Sequence, residues 1–276
     1  MSIPGSSIPG SSIPGSSIPG YKRTLFLLLW LVGFVGECAT LWLELPIPEG
    51  VVLPLPLPVL KLVSLAQALV ILTLSVWAGV ALASRVGLSA PFFEAIAANL
   101  TVSSDRSTAP LKALKKQAPT GIIGGIIGVS LSTGWFLLMR GALPDDFLSA
   151  SAATTIPLWV RLLKGGIAEE IVLRWGVMTV LVWLLWRFLQ RRRGQPHGAY
   201  VTASILLSAV VFGLLHLPAV SLLTADVTGV LAFYIVVGNA LFGIVAGYLY
   251  WQVGLESAIA AHMIFHIVLV GAESFV

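Results

Sequence analysis

The sequence predicts an all-α protein, a polytopic membrane bundle of about seven transmembrane helices. Three observations carry that expectation. Hydrophobic residues make up 57% of the 276-residue chain and charged residues only 10%, against roughly 25% charged in an average soluble domain. Mean hydropathy is +0.96. The apolar residues are gathered into runs long enough to cross a bilayer, which takes roughly 20 residues at about 1.5 Å rise each. A chain so poor in polar surface is not an ordinary cytosolic enzyme, a disordered regulator or a nucleic-acid binder. The net charge of +4 sits in short clusters between apolar runs, where it sets orientation rather than recruiting nucleic acid. Cys38 is the single cysteine, so no intrachain disulfide forms.

The elements follow in order. The chain opens on Ser-Ser-Ile-Pro-Gly repeats. Proline and glycine every fifth residue oppose helix and ladder alike, and isolated isoleucines build no core, so residues 1–21 read as a disordered tail. Without a basic n-region or a continuous apolar stretch this is not a signal peptide. Spans are then expected at about 24–43, 59–84, 120–140, 158–187, 200–222, 228–251 and 255–272. The Pro-rich stretch 46–58 cannot be helical and connects the first two. Residues 85–118 are more polar, with Lys112, Lys115 and Lys116, and read as a connection that includes an amphipathic surface helix; Asp145 and Asp146 fall in another connection. The expected division is a tail at 1–21, N-terminal transmembrane helices with their loops at 22–154, and a C-terminal helix core at 155–276.

Charge orients the bundle. Lys22 and Arg23, then Arg85, Arg106 and the three lysines, then Arg187, Arg191, Arg192 and Arg193 occupy alternate connections. The positive-inside rule therefore places the amino terminus in the cytoplasm and, with seven spans, the carboxyl terminus on the other side. Gly121, Gly124, Gly125 and Gly128 in the third span, and Gly238, Gly243 and Gly247 in the sixth, let helix backbones approach closely in lipid.

Ionisable groups inside a bilayer are costly, so each is a functional candidate. The first span has Glu37, for which the sequence offers no role. The fourth carries Arg161, Lys164, Glu169, Glu170 and Arg174. Glu170 and Arg174 are four apart, a spacing that favours an intrahelical ion pair. Glu169 points about 100° away from Glu170 and is left without that partner, available as a general acid or base. The fifth span has Phe212 and His216 on one face just before Pro218, the sixth has Asn239, and the seventh has His262 and His266. Histidines four apart project from one face and can meet one metal or one substrate oxygen. Together these helices would set a carboxylate and up to three imidazoles around a buried water.

Glu169-Glu170-xxx-Arg174, Phe212-xxx-His216 and His262-xxx-His266, in this order on consecutive membrane helices, resemble the motifs of the CAAX protease and bacteriocin-processing (CPBP, or Abi) family of intramembrane peptidases. The resemblance covers about residues 155–272 and departs from the family at His266, which stands where the third motif usually has asparagine. It implies hydrolysis of a peptide bond of a membrane-associated or prenylated, CAAX-type protein or peptide. By that resemblance Glu169 and His216 activate water, His262 and residue 266 steady the oxyanion, and Glu170 with Arg174 locks the fourth span, with Phe212 as structural support. The candidate catalytic set is thus Glu169, Glu170, His216, His262 and His266. The family is often labelled metalloprotease, so zinc or another divalent metal is a candidate cofactor, with His216, His262, His266 and Glu169 as its ligands; imidazole at 266 is a better zinc ligand than an amide. Glu-plus-His activation of water needs no metal. Two other classes stay open on sequence: a catalytically silent scaffold or immunity protein of the same fold, and a proton-coupled transporter using the same groups as a relay.

Overall fold

The computed structural model describes residues 19–44, 55–101, 109–224 and 226–273. Most of the repeated tail, most of the Pro-rich connection and residues 102–108 lie outside that description. Among the described residues all regular structure is helical, and seven helices are long and apolar enough to cross a membrane. These are α1 (Tyr21–Cys38), α2 (Leu57–Leu82), α4 (Ala109–Met139), α6 (Leu158–Leu189), α7 (Gly198–Leu214), α8 (Gly229–Gln252) and α9 (Leu255–Glu273), with the shorter α3 (Pro91–Thr101) and α5 (Asp145–Ala153) between them.

Four boundaries differ from the sequence reading. Leu57 and Pro58, assigned there to the non-helical connection, open α2, where a first-turn proline leaves no N–H unpaired. Tyr21, assigned there to the tail, is buried and opens α1. The segment from 109 onward joins the third span, so Lys112, Lys115 and Lys116 lie on the first turns of a 31-residue α4 and not in a connection. The fifth span breaks: α7 stops at Leu214, and a short turn at Leu217–Val220 follows. Pro218 lacks an N–H and crowds the preceding turn, and the His216 N–H bonds Gly213 O instead of continuing the helix.

One hydrophobic core runs from α1 through α6 to α9, with Leu29, Leu72, Ile171, Trp175, Met178, Tyr250 and Ala258 at its centre. Small residues set the helix spacing, as expected in lipid. The α4 stripe packs on α9 and α8: a Cβ on Gly121 would meet Ala260, one on Gly125 would meet Ile264, and one on Gly128 would meet Phe242. On the other side of α6, Gly36 of α1 lies against the backbone of Leu163 and the Ala168 methyl. Helix α6 is thus clamped from one side by α1 and α2, while its other side faces α9.

The start of α9 is pinned by charge. Glu256 Oε1 accepts the Phe92 and Phe93 N–H groups at 2.9 and 3.1 Å, satisfying donors that the first turn of α3 would otherwise leave bare. Glu94 reaches back to the Ala90 N–H at 3.1 Å, and the Leu255 N–H bonds Ser89 O. Those contacts fix the depth at which α9 enters the bundle and hence where His262 and His266 lie.

Candidate active site

α6 is not a plain α-helix. Arg161–Glu169 and Ile171–Met178 wind as π-helix, with hydrogen bonds five residues apart. π turns are uncommon and recur at functional sites, and residues four apart in them lie almost in line. Two rows result. One holds Glu170 and Arg174; the other holds Arg161, Gly165 and Glu169.

The first row is wholly buried. Arg174 Nε donates to Glu170 Oε2 at 3.0 Å, and both side chains are 0% exposed. The pair anticipated from the spacing therefore forms. The guanidinium carbon lies 5.5 Å from the centre of the Phe212 ring, a cation–π contact that suits a desolvated arginine. Glu170 has a second partner: its Oε1 lies 2.9 Å from His262 Nδ1. Glu170 is therefore committed on both oxygens. An ionised carboxylate only accepts, so His262 carries a proton on Nδ1 and turns Nε2 away from Glu170.

The second row meets the same histidines from the other side. A Cβ on Gly165 would lie 2.5 Å from His266 Nε2 and 3.5 Å from His262 Nε2. Gly165 is the gap into which both rings fit. Glu169, one turn on and in line with it, is half-buried and makes no hydrogen bond or ion pair among the described residues. The two glutamates thus have opposite surroundings: one is fixed by two partners, the other is uncommitted, four residues after Gly165.

His216 sits in the break after α7. Its Nδ1 lies 2.8 Å from Phe212 O, which can only accept, so Nδ1 carries the proton and Nε2 the lone pair. Phe212 meets His216 edge-on at 4.8 Å and lies 6.0 Å from His262, placing one ring between the arginine and two histidines. His262 and His266 stack at 4.9 Å with 21° between planes, and Phe242 covers His262 at 4.4 Å.

Both Nε2 atoms, of His262 and His266, lie at the Gly165 gap. Among the described residues no three His, Cys, Asp or Glu side chains converge closely enough to hold a metal ion. His216, His262, His266 and Glu169, as placed, do not fit a metal centre of the kind that needs three or four protein ligands.

Three residues of this region carried no functional assignment from sequence. Gly165 supplies the gap under the histidines, and its position in Gly165-Gly166 just before the glutamates was the only signal. Phe242 gave none. Glu37, 2% exposed, is bonded through both oxygens to Lys164 Nζ at 3.0 and 2.8 Å. Its partner lies 127 residues away, so the pair is invisible to any local pattern. It ties α1 to α6 one residue before Gly165.

With seven spans the chain is a multi-pass integral membrane protein. Residues 151–268 match the model of a protein family described as Type II CAAX prenyl endopeptidase Rce1-like. This match is to the CAAX prenyl endopeptidase (CPBP) family that the motifs resemble, and it supports a CAAX-type intramembrane protease fold for this part of the chain. No curated protein and no solved structure matches the chain.

Proposed function

We propose that the chain is an intramembrane endopeptidase that hydrolyses a peptide bond of a membrane-associated or prenylated, CAAX-type protein or peptide, with Glu169 as the principal base. The observation that carries this reading is the contrast between the two glutamates. Glu170 is consumed by Arg174 and His262, whereas Glu169 is uncommitted and in line with Gly165, against which both imidazoles rest.

Glu169 takes a proton from a water molecule, whose oxygen adds to the scissile carbonyl carbon. His216, with Nδ1–H fixed on the Phe212 carbonyl, offers its Nε2 lone pair to the same water or to the proton in transit. The carbonyl oxygen becomes an oxyanion and needs N–H donors aimed at it. Among the described residues His266 Nδ1 has no partner, so its proton can reside on Nε2. His262 donates from Nε2 only as an imidazolium, and Glu170 supplies the countercharge at Nδ1. When the C–N bond breaks, the proton held by Glu169 passes to the leaving amine, and the acid and amine products separate. No step runs through a metal, because the donor set does not converge. Glu170, Arg174 and Phe212 act by holding His262 and His216 in place.

The test is hydrolysis of a membrane-anchored or prenylated peptide by the purified protein and its Glu169→Gln variant. Loss of cleavage in a variant of unchanged helicity supports the reading; cleavage at the wild-type rate contradicts it.

A further inference from the structure

At the far end of the bundle from the acidic connections, a groove of about 300 Å³ opens between the start of α1 and the end of α2. Its rim carries Lys22, Arg23 and Arg85; Phe26, Trp77 and Val80 form its wall. We propose that this groove binds one anionic phospholipid, headgroup phosphate on the three cations and acyl chain along the apolar wall.

All three cations are exposed, and among the described residues no carboxylate lines the groove and none of the three takes part in an ion pair. Phe26 lies one helical turn deeper than Lys22, and Val80 and Trp77 lie one and two turns deeper than Arg85. Charge thus sits at the rim and apolar surface directly below it, the gradient of a phospholipid from phosphate to chain. Trp77 is 65% exposed and lies about 12 Å below the Arg85 rim, a broad apolar surface for an acyl chain to lie against. A free phosphate would need the cations but not the wall. Arg85 also sits two residues from Gly87, which packs beside Gln195 in the turn that follows Arg191, Arg192 and Arg193. The groove therefore belongs to the end that charge bias assigns to the cytoplasm, where anionic lipid attracts basic segments and basic pockets between helices take headgroups. It lies outside residues 151–268 and fifteen residues of α1 away from Glu37, so it is separate from the candidate active site.

The experiment is native mass spectrometry of the full chain in detergent micelles, titrated separately with phosphatidylglycerol, phosphatidylcholine and inorganic phosphate. Wild type is expected to retain one phosphatidylglycerol at least about tenfold more tightly than phosphatidylcholine, with each cation contributing about fivefold. A Lys22→Gln, Arg23→Gln, Arg85→Gln triple variant should lose on the order of 100-fold, and Trp77→Ala alone should weaken lipid retention by loss of the wall. A matched variant with Arg191, Arg192 and Arg193 changed to Gln should retain lipid as wild type does. The proposal is overturned if both triple variants lose affinity equally, if Trp77→Ala binds unchanged, if the two lipids bind alike, or if inorganic phosphate displaces phosphatidylglycerol at equal concentration.

Discussion

Glu170 Oε1 and His262 Nδ1 stand 2.9 Å apart across 92 residues of sequence, and Arg174 holds the other carboxylate oxygen at 3.0 Å. All three side chains are buried. Removing the charge of one member leaves the others desolvated and unpaired, which in buried pairs costs about 3–5 kcal/mol. Glu170→Gln and Arg174→Met are therefore expected to lower the thermal unfolding temperature markedly and to reduce yield. Glu169→Gln, on a half-buried side chain with no partner to strand, should leave unfolding near wild type. Thermal unfolding of the three variants in one detergent checks this; equal destabilisation by Glu169→Gln would show that the two glutamates are not distinguished as described.

Gly165 tests the packing of the histidines. A methyl group there would occupy the space of His266 Nε2, so Gly165→Ala must push α9 or the ring aside. Displacement of a reacting group by about 1 Å can cost about 100-fold in rate, and that is the expected loss. Gly134, with nothing near an added Cβ, is the control: Gly134→Ala should retain activity. Comparable losses at the two positions would remove the role given to Gly165.

His266 separates donor from metal ligand. If the side chain at 266 serves the oxyanion, His266→Asn keeps an N–H donor and should retain activity within about tenfold, because one oxyanion donor is worth about 100-fold or more. Wild type and variant should both be indifferent to a chelator. Loss of activity together with bound metal in the variant would mean that the imidazoles converge on a metal in the working enzyme.

A pH effect on stability follows from Glu94. Burial, with the charge of Glu256 adding to it, pushes its carboxyl from the ordinary 4.5 up to about 7. Between those values the folded protein keeps a proton that the unfolded chain has lost, so stability falls as pH rises across that interval and levels off above it. The contribution is fully present below pH 4.5. Glu94→Gln should flatten the fall of Tm between pH 5 and 8; an unchanged slope would contradict it.

Much of this architecture could be read from the chain, and what could not has a physical reason. Span number followed from apolar run length, and the Glu170–Arg174 pair from four-residue spacing. The break at His216 was foreshadowed by Pro218, but a proline either kinks or stops a helix, and only the His216 N–H bond to Gly213 O decides. The depth of the site was not legible. Counted as ideal spans, Glu169 and His216 fall toward one end of their helices, whereas His262 and His266 fall nearer the middle or the opposite side. The direct Glu170–His262 contact brings them level, because the span that carries the glutamates is 32 residues long and α9 is anchored at its start by Glu256. Glu37 stayed unexplained in sequence because its partner, Lys164, is brought to it only by the approach of α1 at Gly36.

The most direct test of the whole account is cleavage of a mixed set of membrane-anchored and prenylated peptides by wild type and Glu169→Gln, with unfolding temperature measured on the same samples. The account predicts cleavage by wild type, at least about 1,000-fold less by the variant, and matching unfolding. Folded wild type that cleaves none of the set, or a variant that cleaves as wild type does, would contradict it.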